Sequence, residues 1–239
     1  MGRHRIARKQ MKKDEFVSTV TTMSMFVEEH WKYFVTGAAV VAGIAIIIYL
    51  VVFYSNYRNE KASIILNAGI EYFHAPVSPG PDAKIAPSVR TFATDDEKYR
   101  EALKNFEVVL NSYGRTKAGH LALYYSGLCL MDLGNYDEAT RRLEEFITTG
   151  GEPFIQDIAR SALAQCYFQK KDFEASAKMW KQISEESQTL FPRDEALLNL
   201  ARSVESQGKI PEAMEIYRKI TMEYPGTKTS QEAVSKLQG

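Results

Sequence analysis

Residues 99–110 read YREALKNFEVVL, residues 136–147 YDEATRRLEEFI, residues 173–184 FEASAKMWKQIS and residues 210–221 IPEAMEIYRKIT. The leading residues Tyr99, Tyr136, Phe173 and Ile210 stand at a constant step of 37. Three residues on comes a small side chain each time: Ala102, Ala139, Ser176, Ala213. Seven residues on comes a large one: Phe106, Leu143, Trp180, Tyr217. A repeat of this length is one supersecondary unit that cannot bury its apolar face alone, so it stacks on its neighbours. The spacing therefore predicts an all-α chain, an α-solenoid of helical hairpins, and an interaction surface.

Working outward, helices are expected at about 95–112, 117–133, 136–149, 155–170, 173–187, 193–207 and 210–223, with a final capping helix at 229–237. Breaks fall at Gly134-Asn135, Lys171-Asp172 and Gly208-Lys209. Pro211 sits in a first helical turn, where a missing N–H costs least. Thr94 and Glu97 have the spacing of a capping box. No alternating run or Asn-Gly hairpin points to a strand. Upstream, 58–74 reads as a helix with Ile64, Ile65, Ala68 and Tyr72 on one side. Between it and residue 96, Pro76, Pro79, Pro81 and Pro87 exclude a regular helix or a central strand, so a partly extended loop is expected.

The N-terminal quarter is of another kind. No charge lies between Lys32 and Arg58, and Tyr33–Tyr54 is a run of 22 apolar or small residues. As a helix it is about 33 Å long, against a hydrocarbon core of about 30 Å. Trp31, Tyr33 and Phe34 flank one end and Tyr49, Phe53, Tyr54 and Tyr57 the other, like an aromatic belt. The alternative is a buried core helix. No Ala-x-Ala-like site follows, so an uncleaved anchor is expected. Residues 1–13 carry Arg3, Arg5, Arg8, Lys9, Lys12 and Lys13 with no acid. The positive-inside rule then leaves the N-terminus in the cytoplasm and everything beyond the run on the far side. Phe16, Val20, Met23 and Val27 have helical spacing and read as an amphipathic segment, either a docking helix or an interfacial foot. Ala38/Ala42 and Ala39/Gly43 are small pairs four apart, which allow close approach of a second membrane helix. The expected division is 1–32 tail and amphipathic helix, 33–54 span, 55–96 connecting helix and proline-rich insertion, and 97–239 repeat domain.

The chain holds 30 basic and 30 acidic residues. Residues 58–239 hold 23 and 26 of them, which gives no reason to expect nucleic acid. His4, His30, His74 and His120 show no i, i+4 pairing, and no Gly-rich phosphate loop or GxSxG is present. No enzyme activity, cofactor, metal or small-molecule substrate is expected. Cys129 and Cys166 are also 37 apart. Equivalent helices of a stack lie about 8–10 Å apart and a disulfide needs Cα atoms within about 7 Å, so two reduced core thiols are expected.

Counted from His120, Asp157 and Asp194, the units put Gly127, Ala164 and Ala201 at a small eighth position, Leu130, Tyr167 and Val204 at a bulky eleventh, and Ala139, Ser176 and Ala213 at a small twentieth. This pattern resembles the tetratricopeptide repeat. The step of 37 exceeds the family's usual 34, Lys171 departs from the turn glycine, and the first unit is degenerate. The resemblance implies a groove lined by the first helix of each unit: Leu121, Tyr124, Leu128 and Met131, with Asp132; Ile158, Gln165 and Phe168, with Ser161 and Gln169; Leu198 and Arg202, with Glu195, Glu205 and Ser206. The first two sets are apolar for a solvated face. They read either as a protein-binding site or as a face covered by the last helix or the proline-rich loop.

The layout of basic tail, single span and exported repeats is similar to the ancillary subunits of the bacterial SecYEG translocon (the YfgM-like group). It implies a bacterial inner-membrane protein with a periplasmic repeat domain, and as partners exported proteins, chaperones or a membrane protein complex, together with membrane lipid. The regular units also resemble outer-membrane assembly factors and the Tol-Pal-associated repeat protein, whose lipid anchor or cleaved signal is not expected here. Three functions follow: an adaptor near the translocon, a structural accessory subunit of a respiratory or photosynthetic assembly, and, least supported by the residues, an enzyme of the cell wall or of redox partners.

Overall fold

The computed structural model describes residues 3–77, 90–186 and 189–238; side chains are described for Thr21, Met25, Phe26 and from His30 onward within these ranges. The prolines at 79, 81 and 87, the side chains of Phe16, Val20, Met23 and Val27, and those of the basic residues 3–13 lie outside the described residues. The described chain is helical: α1 Arg3–Phe73, α2 Asp95–Tyr113, α3 Lys117–Asp132, α4 Tyr136–Thr149, α5 Pro153–Gln169, α6 Phe173–Glu185, α7 Arg193–Ser206, α8 Ile210–Glu223 and α9 Lys228–Gln238. The bounds of α2 to α9 fall within two residues of those read from the sequence, whereas α1 runs unbroken through what the sequence divides into tail, amphipathic segment, span and connecting helix. The chain divides into two compact units, Met1–Asn56 and Tyr57–Gly239.

In the first unit the apolar run is bare. Val41 is 67% exposed, Tyr49 67% and Tyr33 75%. Thr36 donates its hydroxyl back to the Lys32 carbonyl at 2.9 Å, so the run carries no unsatisfied hydroxyl at that point. Ala38, Ala39 and Ala42 are exposed, and open space surrounds Gly43 where a Cβ would stand. Within α1, His30–Phe73 is the one stretch among the described residues long and apolar enough to cross a membrane.

In the second unit, consecutive helices pack as antiparallel hairpins. The small residues of the repeat are shut in completely: Ala102, Ala139, Ser176 and Ala213 are all at 0% exposure. The large ones follow, with Phe106, Leu143 and Tyr217 at 0% and Trp180 at 3%. Ser176 meets Ser203 by a buried hydroxyl–hydroxyl hydrogen bond of 3.0 Å, which satisfies the one polar occupant of the small position. Cys129 and Cys166 are free thiols at 0% exposure. Burial pushes their pKa values up, to about 12 and about 11.

Turn chemistry repeats with the same period. Gly134 and Gly208 adopt φ of 76° and 79°. Lys171, 37 residues after Gly134, is held at φ 62°. The stack thus imposes a left-handed residue there even where the sequence supplies a Cβ, at a cost of about 1–2 kcal/mol. At the start of α2, Thr94 Oγ1 accepts from Glu97 N (3.1 Å) and Glu97 accepts from Ala93 N (3.0 Å), so the returning bond of the capping box lands one residue early.

One face was misread in the sequence. On the last turns of α1 the buried residues are Ala62, Leu66 and Gly69; Ile65, Tyr72 and Phe73 are half-buried and pack against the same core, whereas Ile64, expected on the same side, is 65% exposed. A Cβ on Gly69 would stand 2.5 Å from Phe106, as one on Gly127 would stand 2.8 Å from Leu143. Gly69 is therefore the eighth position of the first unit. It precedes Tyr99 by 30 residues, where Gly127 precedes Tyr136 by 9, so the first hairpin carries an insertion of 21. The stem of the insertion is pinched shut. Val77 and Phe92 form an isolated bridge, Phe92 N donates to Pro76 O at 3.3 Å, and Tyr72 stacks edge-on to Phe92 at 5.6 Å.

Candidate protein-binding groove

The first helices of successive hairpins lean together, α3 towards α5 and α7 towards α9. On the opposite side the second helices leave clefts of about 470 Å³, between α4, α5 and α6, and about 320 Å³, between α6, α7 and α8. The first helices therefore form the inner side of the stack.

The structure distributes the groove residues over three environments. Leu121, Leu128 and Met131 of α3 and Ile158 of α5 are half-buried and form an apolar strip packed on the core beneath. Gln165 and Phe168 continue it, Phe168 edge-on to Phe173 at 5.2 Å. Tyr124 and Leu198 belong to the floor rather than the surface, at 8% and 6% exposure. Tyr124 packs against Phe146, ring centroids 5.5 Å apart, and burial pushes its phenol up to about 12. At Tyr124 and Leu198 the fifth position points between helices, because each first helix is gripped by its own partner and by the next hairpin; Ser161, at the same place in the third unit, is half-buried.

The third environment answers which part of the face is covered. α9 lies where the first helix of a fifth unit would lie and closes the fourth. Arg202 Nε donates to Glu232 at 3.1 Å, Lys236 donates to both oxygens of Glu205 at 3.0 Å, and Ala233 is fully buried. Burial opposes the charge on Glu205, yet hydrogen bonds from Lys236 and Tyr217 hold its carboxyl below the ordinary range. The open part of the inner face is thus that of α3 and α5.

Two contacts between units were missed in the sequence. Asp157 accepts from Leu190 N (2.8 Å) and Thr189 Oγ1 (3.1 Å). Asp194, one period later, accepts from Thr229 Oγ1 (2.5 Å). In the third and fourth units the first position therefore holds the chain where it enters the next first helix. The signal was the recurrence of Asp at a step of 37. Among the described residues, no group of His, Cys, Asp and Glu is placed to hold a metal.

A family model described as a tetratricopeptide repeat-like domain matches residues 28–219. Among solved structures, the nearly identical TPR-like repeats of a protein described as a kinesin light chain from Podosopora anserina match with 16% identity and a TM-score of 0.48, covering 59% of this chain and 77% of that one. A Gln-to-Met variant of the same repeats gives 17%, 0.49, 59% and 76%. No curated protein matches the chain. Four hairpins in one register, small residues at the helix crossings and a family match over most of the length lead to one conclusion: the chain belongs to the tetratricopeptide repeat-like domain family.

Proposed function

We propose that the chain is a single-pass membrane scaffold of the bacterial inner membrane, whose repeat domain holds other proteins on the periplasmic side, near the Sec translocon. The observation that carries this reading is the half-exposed apolar strip of Leu121, Leu128, Met131, Ile158 and Phe168 on the inner face, a surface suited to a helical or extended apolar segment of a client. The membrane part rests on the bare apolar run, which no described residue buries and which water would not tolerate at this length. Orientation follows from the basic residues before it, and the division into 1–32, 33–54, 55–96 and 97–239 follows with it. The place near the translocon rests on the likeness of layout to the YfgM-like group. Exported proteins and their chaperones are the clients this reading names.

A photo-crosslinker at Leu128 or Phe168 of the full chain should capture exported proteins or chaperones, and one at Ile64 should not. Capture of nothing but lipid at all three positions would count against the scaffold. Protease added to spheroplasts should remove the repeat domain; digestion only in inverted vesicles reverses the orientation.

A second reading is a permanent accessory subunit of a larger membrane complex. It is favoured by the open small-residue face of Ala38, Ala39, Ala42 and Gly43. Stoichiometric purification with one complex in mild detergent, indifferent to a Leu128→Ser change, would select it.

A further inference from the structure

Every link between hairpins lies at the same edge of the stack, where α2, α4, α6 and α8 end and α3, α5, α7 and α9 begin. The chain comes into the repeat domain at that edge too. Arg58 donates to the carbonyl of Ser112 and lies 5.5 Å from the Tyr113 ring. Asn59 Oδ1 accepts from Ala118 N at 3.0 Å. The first link, Gly114–Thr116, is thereby fastened to residues 58 and 59. Arg58 follows Tyr54, at the end of the apolar run, by four positions with three residues between, and no conformation lets four Cα–Cα steps reach beyond about 14 Å. If 33–54 spans a membrane, as proposed above, this link is held at the headgroup layer.

The side chains gathered there suit such a place. Arg58, Lys61, Arg115 and Lys117 are basic, with Glu60 among them. Arg115 and Lys117 are exposed, and no acid lies within ion-pair distance of either among the described residues. Glu145 and Glu152 share with them a recess of about 760 Å³, and Glu145 already faces Arg141 at 3.6 Å. One period after Lys117 stands Phe154, 52% exposed at the start of α5. In water that is an exposed aromatic ring; in a headgroup layer it is an anchor.

We propose that this edge of the repeat domain docks on the membrane surface, with Arg115 and Lys117 binding the phosphates of anionic phospholipid headgroups and Phe154 seated in the headgroup layer. The inference rests on the membrane reading of residues 33–54 and adds a second membrane contact to it. Docking by charge requires an anionic surface and weakens with salt.

The test uses the full chain in nanodiscs of phosphatidylcholine, with or without phosphatidylglycerol, and a lipid carrying a headgroup quencher. A fluorophore on Thr149→Cys reports this edge and one on Ile210→Cys the opposite edge; the native thiols are buried. With phosphatidylglycerol, quenching should be strong at 149 and weak at 210. R115Q and K117Q should each lower the ratio of docked to undocked chain roughly fivefold, and Phe154→Ala should lower it less. Equal quenching at the two edges, or indifference to R115Q/K117Q, overturns the proposal. So does a photoprobe at Lys117 that captures a protein while position 149 stays unquenched. Flotation with phosphatidylcholine vesicles separates the two readings. A chain that does not float sinks the span and the docking together, whereas one that floats with position 149 unquenched sinks the docking alone.

Discussion

The middle of α1 and the whole of α3 are both apolar on nearly every side, yet they have opposite surroundings. α3 is walled in by α2, α4 and α5, and nine of its residues from Ala118 to Leu130 are buried. Along the run 33–54 the side chains from Val40 to Tyr54 are mostly more than half exposed. A helix apolar all round must be enclosed by something. For α3 the rest of the repeat stack encloses every side but the strip of Leu121, Leu128 and Met131. For the apolar run of α1 the described residues provide none, which is the physical content of reading it as a membrane span.

The comparison can be broken in four ways, taken from the largest effect down. Cys129 tests how completely α3 is enclosed. With its thiol pushed up to about 12, its thiolate fraction at pH 8 falls roughly a thousandfold below that of a free thiol. Alkylation in the folded chain should be slower than in urea by at least that factor; a difference of less than about tenfold would mean that α3 is open.

Phe146 tests the wall. It is 1% exposed and stacks on His120 at 4.3 Å. Phe146→Ala should destabilise the repeat domain by about 3–5 kcal/mol, read by thermal unfolding in detergent. Phe53→Ala, in the bare run, should leave that transition in place. Equal shifts would erase the distinction between the two helices.

Val41→Lys tests the other side. It should weaken membrane insertion by about 3 kcal/mol, read as carbonate-extractable chain relative to Val41→Leu. Ile64→Lys, on the exposed side of the last turns of α1, should not change extraction. If both behave alike, the run is not in hydrocarbon.

The smallest effect sharpens the register that builds the wall. Lys171→Gly should stabilise the domain by about 1 kcal/mol, because the turn there already demands a left-handed residue. The reverse change, Gly134→Lys, should cost a similar amount. If Lys171→Gly destabilises, the turn is held by the lysine side chain rather than by the stack.

Most of the stack was legible because its information is local and periodic. Helix ends, left-handed turn positions and crossing residues recur at 37, and one unit interprets the next. The first unit was harder. Its helix has apolar residues on both faces, so Ile64 and Ile65 drew the eye, while the true crossing residue is a glycine that hydrophobic patterning does not register. The inserted 21 residues also broke the phase that would have marked Gly69. The groove was legible as a face but not residue by residue. Tyr124 and Leu198 share the spacing of the surface positions, and only the packing of Phe146 against Tyr124, and the course of α9 over the fourth unit, removes them from solvent. Charge pairs across 30 residues, such as Arg202 with Glu232, leave no mark in a single sequence.

The pinched stem at Val77 and Phe92 bears on how such a chain drifts over generations. Because its two ends already hold each other, residues can be added between them at little expense to the fold. Each doubling of a loop's length costs only about 0.6 kcal/mol in closure entropy. Natural variation should therefore concentrate there while the register around it stays fixed. For the same reason a reporter protein spliced between these two residues should ride on the domain without loosening it.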